Sequence, residues 1–370
     1  GELNAFVGVP DGPALVMEDV AFTFVFLREK NAVVEELRRY WIAVEAEAGH
    51  VEIEGVPGLE IVGENLKVAI NLQAFIIVTI PGVGKAPVPI DGTTIDFEKS
   101  AELGNQFGTE STLLISMPGQ IGGYVQALGY VKISAFDIVH AEANVIFEQT
   151  SETVRLNTGE EVDVEMLSIG ATNVNFFIGV NPGEDNAIGF GITDASLLVL
   201  TMTESNPLPG ESARVWSSMK AEIGTVGFVG IDAFEISGTD ILFALNREAA
   251  GGTIVDFSAE TGTPLEISDY GFVYEMRRTD ATMLILQGTF TLRAFDLINL
   301  EISLDITQTF VTVDLSDGSS TEVGIFTFAE TDISFFAGFE GVGMNLDNAR
   351  LGLAVAVDMN PLTLFNRIRR

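Results

Sequence analysis

Apolar and polar residues alternate along most of the chain. Val51, Ile53 and Gly55 alternate with Glu52 and Glu54, and Phe290 and Leu292 with Thr289, Thr291 and Arg293. Leu300, Ile302, Leu304 and Ile306 alternate with Glu301, Ser303, Asp305 and Thr307. A period of two, rich in β-branched and aromatic residues, is the signature of strands with one buried face. Gly, Asn and Asp break the runs, so the predicted strands are short. One stretch, residues 31–40 (NAVVEELRRY), reads as a helix. The pattern predicts an all-β chain with little helix.

The pattern also repeats. Residues 41–71 align without a gap on residues 216–246, matching Trp41 with Trp216, Glu47 with Glu222, Gly49 with Gly224 and Asn71 with Asn246. Residues 129–150 align on 288–309, where Ala135-Phe136-Asp137 falls on Ala294-Phe295-Asp296. A third element occurs as NAFVGV at 4–9, NFFIGV at 175–180 and SFFAGF at 334–339. Between the first two blocks the first copy carries extra chain within residues 72–92, apolar and proline-containing, where the second has only REAAGG. Its 74–80 run reads either as a buried extra strand or as an apolar contact surface. The expected organisation is a first copy at 1–172, a second at 173–331 and a truncated third at 332–370, a slice of a longer repetitive protein. Strand-like pieces recurring within long repeats predict a β-solenoid-like stack of short strands, with tandem β-sandwich or barrel domains as the alternative.

Composition narrows the function. The net charge is −34 at pH 7, with six lysines, so binding to nucleic-acid phosphate is not expected. A hydrophobic fraction of 47% argues against disorder. The absence of cysteine removes disulfides, thiol catalysis and iron–sulfur ligation. No stretch reads as a signal peptide or an apolar membrane span, so membrane insertion is not expected. An acidic, lysine-poor surface stays dispersed where salt screens its self-repulsion. That suits saline extracellular or cell-surface exposure.

Few residues suggest chemistry. Residues 81–85 (PGVGK) resemble a phosphate loop in outline but lack its first glycine and its Ser/Thr. His50 and His140 have Thr225 and Asn299 as repeat counterparts, so the repeat does not need an imidazole. The carboxylate pairs Glu47/Glu222, Glu60/Glu235, Asp96/Asp256 and Asp137/Asp296 recur with the repeat, whereas a catalytic pair is normally unique. No catalytic or cofactor-binding residue is assigned. Oxygen-rich turns make calcium the one cofactor to weigh, with Asp185, Asp314, Asp317 and Asp347 as candidate ligands. No turn matches an EF-hand loop.

The SAFDIV and RAFDLI turns, the NFFIGV element and the uniform acidity resemble the repetitive regions of very large bacterial secreted or surface proteins of the adhesin-like kind. The resemblance carries no residue of known role. It implies extension, adhesion or scaffolding, and not catalysis. The leading expectation is a non-catalytic structural or adhesive repeat segment of a large extracellular bacterial protein. Its partners would be neighbouring repeats, copies of itself, surface polysaccharide or cations. One alternative is a self-assembling filament, sheath or layer subunit, with Arg367, Arg369 and Arg370 facing acidic surface. The other is a carbohydrate-active β-helix protein with a carboxylate-lined groove.

Overall fold

The computed structural model describes residues 3–8, 13–90, 92–100, 115, 117, 119, 122–184, 186–231, 233–249, 251–257, 284–339 and 342–358. Strand accounts for 72% of the chain and helix for 1%. The strands in chain order are β1 (Leu3–Gly8), β2 (Ala14–Arg28), β3 (Tyr40–Glu54), β4 (Leu59–Asn71), β5 (Phe75–Ile80), β6 (Gly84–Pro89), β7 (Tyr124–Ala135) and β8 (Val139–Arg155). They continue with β9 (Glu161–Val180), β10 (Ile188–Glu204), β11 (Val215–Val229), β12 (Phe234–Arg247), β13 (Leu284–Ala294), β14 (Ile298–Asp314), β15 (Ser320–Phe339) and β16 (Val342–Asp358). They form one 16-stranded sheet in which β1 to β4 and β7 to β16 follow one another in chain order, all antiparallel. The β5–β6 hairpin hangs off this path beside β3.

The all-β class stands, but the coils of a solenoid are not what the described residues form. Their strands are long, reaching 20 residues in β9 and β15, and each pairs with its chain neighbour. The polar residues that seemed to end short strands are absorbed inside long ones. Asp19, Asn65, Asn173, Asp194 and Asp240 adopt positive φ near 50° within β2, β4, β9, β10 and β12. Asn and Asp tolerate that left-handed geometry better than other side chains, and such residues make β-bulges that a strand passes through. At two of these positions the geometry is held from a neighbouring strand: Asn4 Oδ1 accepts from Asp19 N–H, and Asn175 Oδ1 from Asp194 N–H, both at 3.2 Å. That gives the first residue of the NAFVGV and NFFIGV elements its role. The glycine of the NFFIGV element has one too, because a Cβ on Gly179 would stand 2.2 Å from the carbonyl oxygen of Ile188 across the β9–β10 ladder.

The expected helix at 31–40 is a single 3-10 turn, Glu35–Leu37, with no capping side chain. Val33 and Leu37 are exposed there, so a helix would have no apolar surface to pack on. The Ala-Phe-Asp motif is a hairpin turn. Phe136 and Asp137, like Phe295 and Asp296, take positive φ in succession and link β7 to β8 and β13 to β14. The 74–80 run becomes β5, with Ile76 buried and Ile77 exposed. Residues 81–85 are the hairpin turn and the start of β6.

The expected copy boundaries at 172/173 and 331/332 fall inside β9 and β15, and the sheet runs across both. The first two copies also interlock. The turn after β8 bridges to the segment after β12, through Leu156 with Val255, Asn157 N–H to Ile254 O (3.0 Å) and Asp256 N–H to Arg155 O (2.8 Å).

Residues paired across an antiparallel ladder lie on the same face. One such row reads Phe22, Ala46, Val68, Ala127, Phe147, Ile169, Val199, Met219, Leu245 and Leu284, apolar on every strand from β2 to β13 along the path. The next row, one residue along, points the other way and reads Thr23, Glu45, Ala69, Gln126, Glu148, Ser168, Leu200, Ser218 and Asn246. Along these rows the sheet has an apolar face and a largely polar face, but further along β8 and β9 the apolar side turns polar, with Ser151 bonded to Glu165 and Thr153 to Asp163. Both buried clusters lie on the polar face, where irregular segments roof it. Phe97, Ile115 and Met117 pack on Val25, Ala43, Ala69 and Tyr124. Ala249, Val255 and Phe257 pack on a cluster containing Leu198, Met202 and Trp216. The apolar face is open along β2, where Phe22, Phe24 and Phe26 are 63%, 58% and 52% exposed, and the β5–β6 hairpin borders it near Ile42 and Val125.

Candidate functional site

The repeated polar residues meet in a lock on the polar face, built twice. In the second copy, Trp216 donates its indole N–H to Thr253 O (3.0 Å), and Asn246 Nδ2 donates to Val255 O (2.8 Å). In the first, Trp41 donates to Thr93 O (3.3 Å) and Asn71 Nδ2 to Ile95 O (2.8 Å). An arginine lies over each indole, Arg39 at 5.3 Å and Arg214 at 5.2 Å from the ring centre. Each arginine is paired with a carboxylate at or just past the end of the preceding strand, Arg39 with Glu29 and Arg214 with Glu204, both at 2.9 Å. These bonds hold Glu29 and Glu204 below the ordinary carboxylate range. Trp and Asn thus bind a roof segment to the sheet, and the arginine lies over the indole.

The same lock explains the extra chain at 72–92. Ala249 N–H closes on Thr253 O at 2.9 Å, and Ala74 N–H closes on Thr93 O at 2.7 Å, so β5–β6 is spliced into a closure the repeat already has. Replacing residues 75–92 by Ala-Gly-Gly, after residues 250–252, is expected to keep the fold. The stability change should stay within about 2 kcal/mol, because the closure is retained and loops tolerate such edits. Urea denaturation followed by circular dichroism checks this. Loss of cooperative unfolding would show that the hairpin holds the sheet together.

Three hollows border these elements. One, about 860 Å³, lies between the β5–β6 hairpin and the sheet and is lined by Ile42, Phe75, Ile77, Val125, Gln149 and Glu165 among others. The second, about 630 Å³, is lined by Lys132, His140, Glu142, Asn175, Phe177 and Thr193 among others. The third, about 470 Å³, is an acidic notch with Glu160, Glu204 and Arg214. The second is the most chemically varied. Tyr130 donates to Glu142 Oε2 (2.7 Å) and Asn175 to Glu142 Oε1 (2.9 Å), so both carboxylate oxygens are bonded. Those bonds hold Glu142 below the ordinary carboxylate range, which makes it an ionised acceptor and a poor general acid. The repeat comparison did not reveal this trio, because Glu301, Thr289 and Ser334 stand in the second copy.

The hydrogen bond to Glu142, with burial behind it, pushes the Tyr130 phenol up to about 12. Its folded value exceeds its unfolded value, so this contribution to stability is complete below about pH 10 and is lost as pH rises through the folded value. In an ultraviolet titration one of the five tyrosines should ionise last, near pH 12, and Tyr130→Phe should remove that step. A wild-type titration with no late step would contradict the bond.

The other candidates are turn and surface residues. Asp317 accepts from Ser319 N–H (2.9 Å), Asp314 from Ser320 Oγ (2.6 Å) and Asp347 from Asn345 Nδ2 (2.5 Å). Asp185 and the terminal arginines lie outside the described residues. Among the described residues no three or more His, Cys, Asp or Glu side chains stand together as a metal site would need. His50 reaches Glu52 at 3.4 Å, and His140 Nδ1 reaches Ser134 at 3.2 Å. Four of the eight recurring acids sit beside cations: Glu47 near Lys67, Glu60 with Lys132, Glu222 with Lys220 and Glu235 with Arg293. Compared with protein-family models, curated proteins and solved structures, the chain matches none.

Proposed function

We propose that the chain is a non-catalytic structural segment of a large extracellular or cell-surface bacterial protein, serving as a repeating β-scaffold. The observation that carries this reading is the twice-built lock. The side chains that recur between copies (Trp, Asn, Arg and their carboxylates) are spent on holding backbone to backbone, and the sheet continues unbroken from one copy into the next. Propagation of one unit by nearest-neighbour contacts is how repeat proteins gain length. The acidic surface suits exposure to a salt-rich medium.

A second reading, a subunit of a self-assembling layer, is favoured by one further observation, the exposed Phe22, Phe24 and Phe26 along β2. Electron microscopy of the purified chain tests the pair of readings. Uniform slabs, single or stacked, are expected. A screen of polysaccharide substrates that found turnover abolished by Glu142→Gln would overturn the non-catalytic reading.

A further inference from the structure

We propose that the hollow bounded by Lys132, His140, Glu142, Asn175, Phe177 and Thr193 binds a neutral saccharide. This names a partner for the scaffold reading and rests on it only in expecting no turnover.

The strand ladder brings these residues together. Lys132 pairs with Glu142 and Glu142 with Asn175, while His140 pairs with Phe177 and Phe177 with Gly191, so these positions on β7 to β10 share a face. The hollow measures about 630 Å³, within the range of roughly 300–1,000 Å³ typical of small-molecule sites. Its polar residues depart from the repeat. Thr289, Thr291, Asn299 and Ser334 stand in the second copy for Tyr130, Lys132, His140 and Asn175. The side chains of the twice-built lock hold the scaffold together, so a polar cluster that does not recur is left for another task.

Part of the wall is apolar. A Cβ on Gly189 would stand 2.6 Å from Phe177 Cζ, so the glycine lets the phenyl ring lie across β10. Ile133 and Val229 line the hollow as well. A sugar ring offers an apolar C–H face to such a surface and carries hydroxyls around its edge.

Those hydroxyls would find partners. Glu142 accepts from Tyr130 and Asn175, which takes two of about four lone-pair sites. Lys132 gives one N–H to Glu60 at 3.3 Å and keeps the others. Thr193 and Thr225 share one hydroxyl hydrogen, which leaves the other to donate. His140 Nε2 is buried with no partner among the described residues, a further polar atom left unsatisfied. The charged groups are thus compensated within the protein and still have hydrogen bonds to offer, which suits a ligand rich in hydroxyls and without charge. Two carboxylates, Glu142 and Glu184, line the hollow against one ammonium, Lys132, so an anionic sugar is disfavoured. With both oxygens already accepting, Glu142 holds a hydroxyl and does not protonate a glycosidic oxygen.

The experiment is saturation-transfer NMR and titration calorimetry, with cellobiose, maltose and N,N′-diacetylchitobiose as neutral probes and digalacturonate as the anionic counterpart. At least one neutral disaccharide should bind, and digalacturonate should bind about tenfold more weakly or not at all. Lys132 is exposed, so Lys132→Met should keep the circular dichroism spectrum and weaken binding about tenfold. Gly191→Leu fills the hollow. An added Cβ there meets nothing closer than 3.7 Å, so the backbone accepts it, and binding should be lost. Failure of all three neutral probes to bind overturns the proposal. So does binding that both variants leave unchanged, or digalacturonate binding as tightly as the neutral probes. Cleavage of a bound disaccharide would overturn the non-catalytic reading and leave this site standing.

Discussion

Trp216→Ala should cost about 3–5 kcal/mol, the range for truncating a fully buried aromatic side chain. Trp216 is 1% exposed, sits in the larger buried cluster, and fixes the roof through its bond to Thr253 and its contact with Arg214. Removing the indole opens a void between β11 and the roof, strips the Thr253 carbonyl of one of its two donors and leaves Arg214 without its ring. The repeat supplies an internal control. Trp41 makes the corresponding bond and arginine contact in the first copy but is only half-buried. It lacks the bridge that the turn after β8 makes to residues 254–256 in the second copy. Trp41→Ala should therefore cost about half as much, because less packed area is lost. Urea unfolding of the two variants, followed by far-ultraviolet circular dichroism so that the lost chromophore does not matter, gives the comparison. Equal losses would mean that the indole acts through its hydrogen bond alone.

That asymmetry shows what could be read from the sequence. The alternation and the repeat were legible, because a period of two and a matched Trp, Asn and Gly framework are local signals. The role of Asn4 and Asn175 was not, because their partners are the left-handed Asp19 and Asp194 on neighbouring strands. For the same reason long strands looked short. A polar residue inside a strand and one ending it are indistinguishable until the ladder on both sides is known. The helix expected at 31–40 failed for want of a surface to pack on, a tertiary property. The Tyr130–Glu142–Asn175 trio was hidden because it unites three separate strands and has no equivalent in the second copy.

The other large effect lies at Asn246. Its amide donates to Val255 O, and its oxygen accepts from Ser218 Oγ at 2.9 Å, with both side chains almost fully buried. Asn246→Ala should cost about 2–4 kcal/mol, since it strands a buried carbonyl and a buried hydroxyl in addition to leaving a small void. Asn71→Ala should cost less, because Ala43 stands in the first copy where Ser218 stands in the second. Asn246→Asp separates hydrogen bonding from shape. An ionised carboxylate there keeps the bond from Ser218 but faces the Val255 carbonyl without a proton to offer it. The protonated acid restores a donor of nearly the same size. The folded state then favours the protonated form, so the variant's stability should fall as pH rises through that group's titration while the wild type changes less. A loss for Asn246→Asp that is independent of pH would mean that the amide contributes packing and not the bond to the roof. Combined with Trp216→Ala, the loss should fall short of the sum of the two single losses, because both residues secure the same segment.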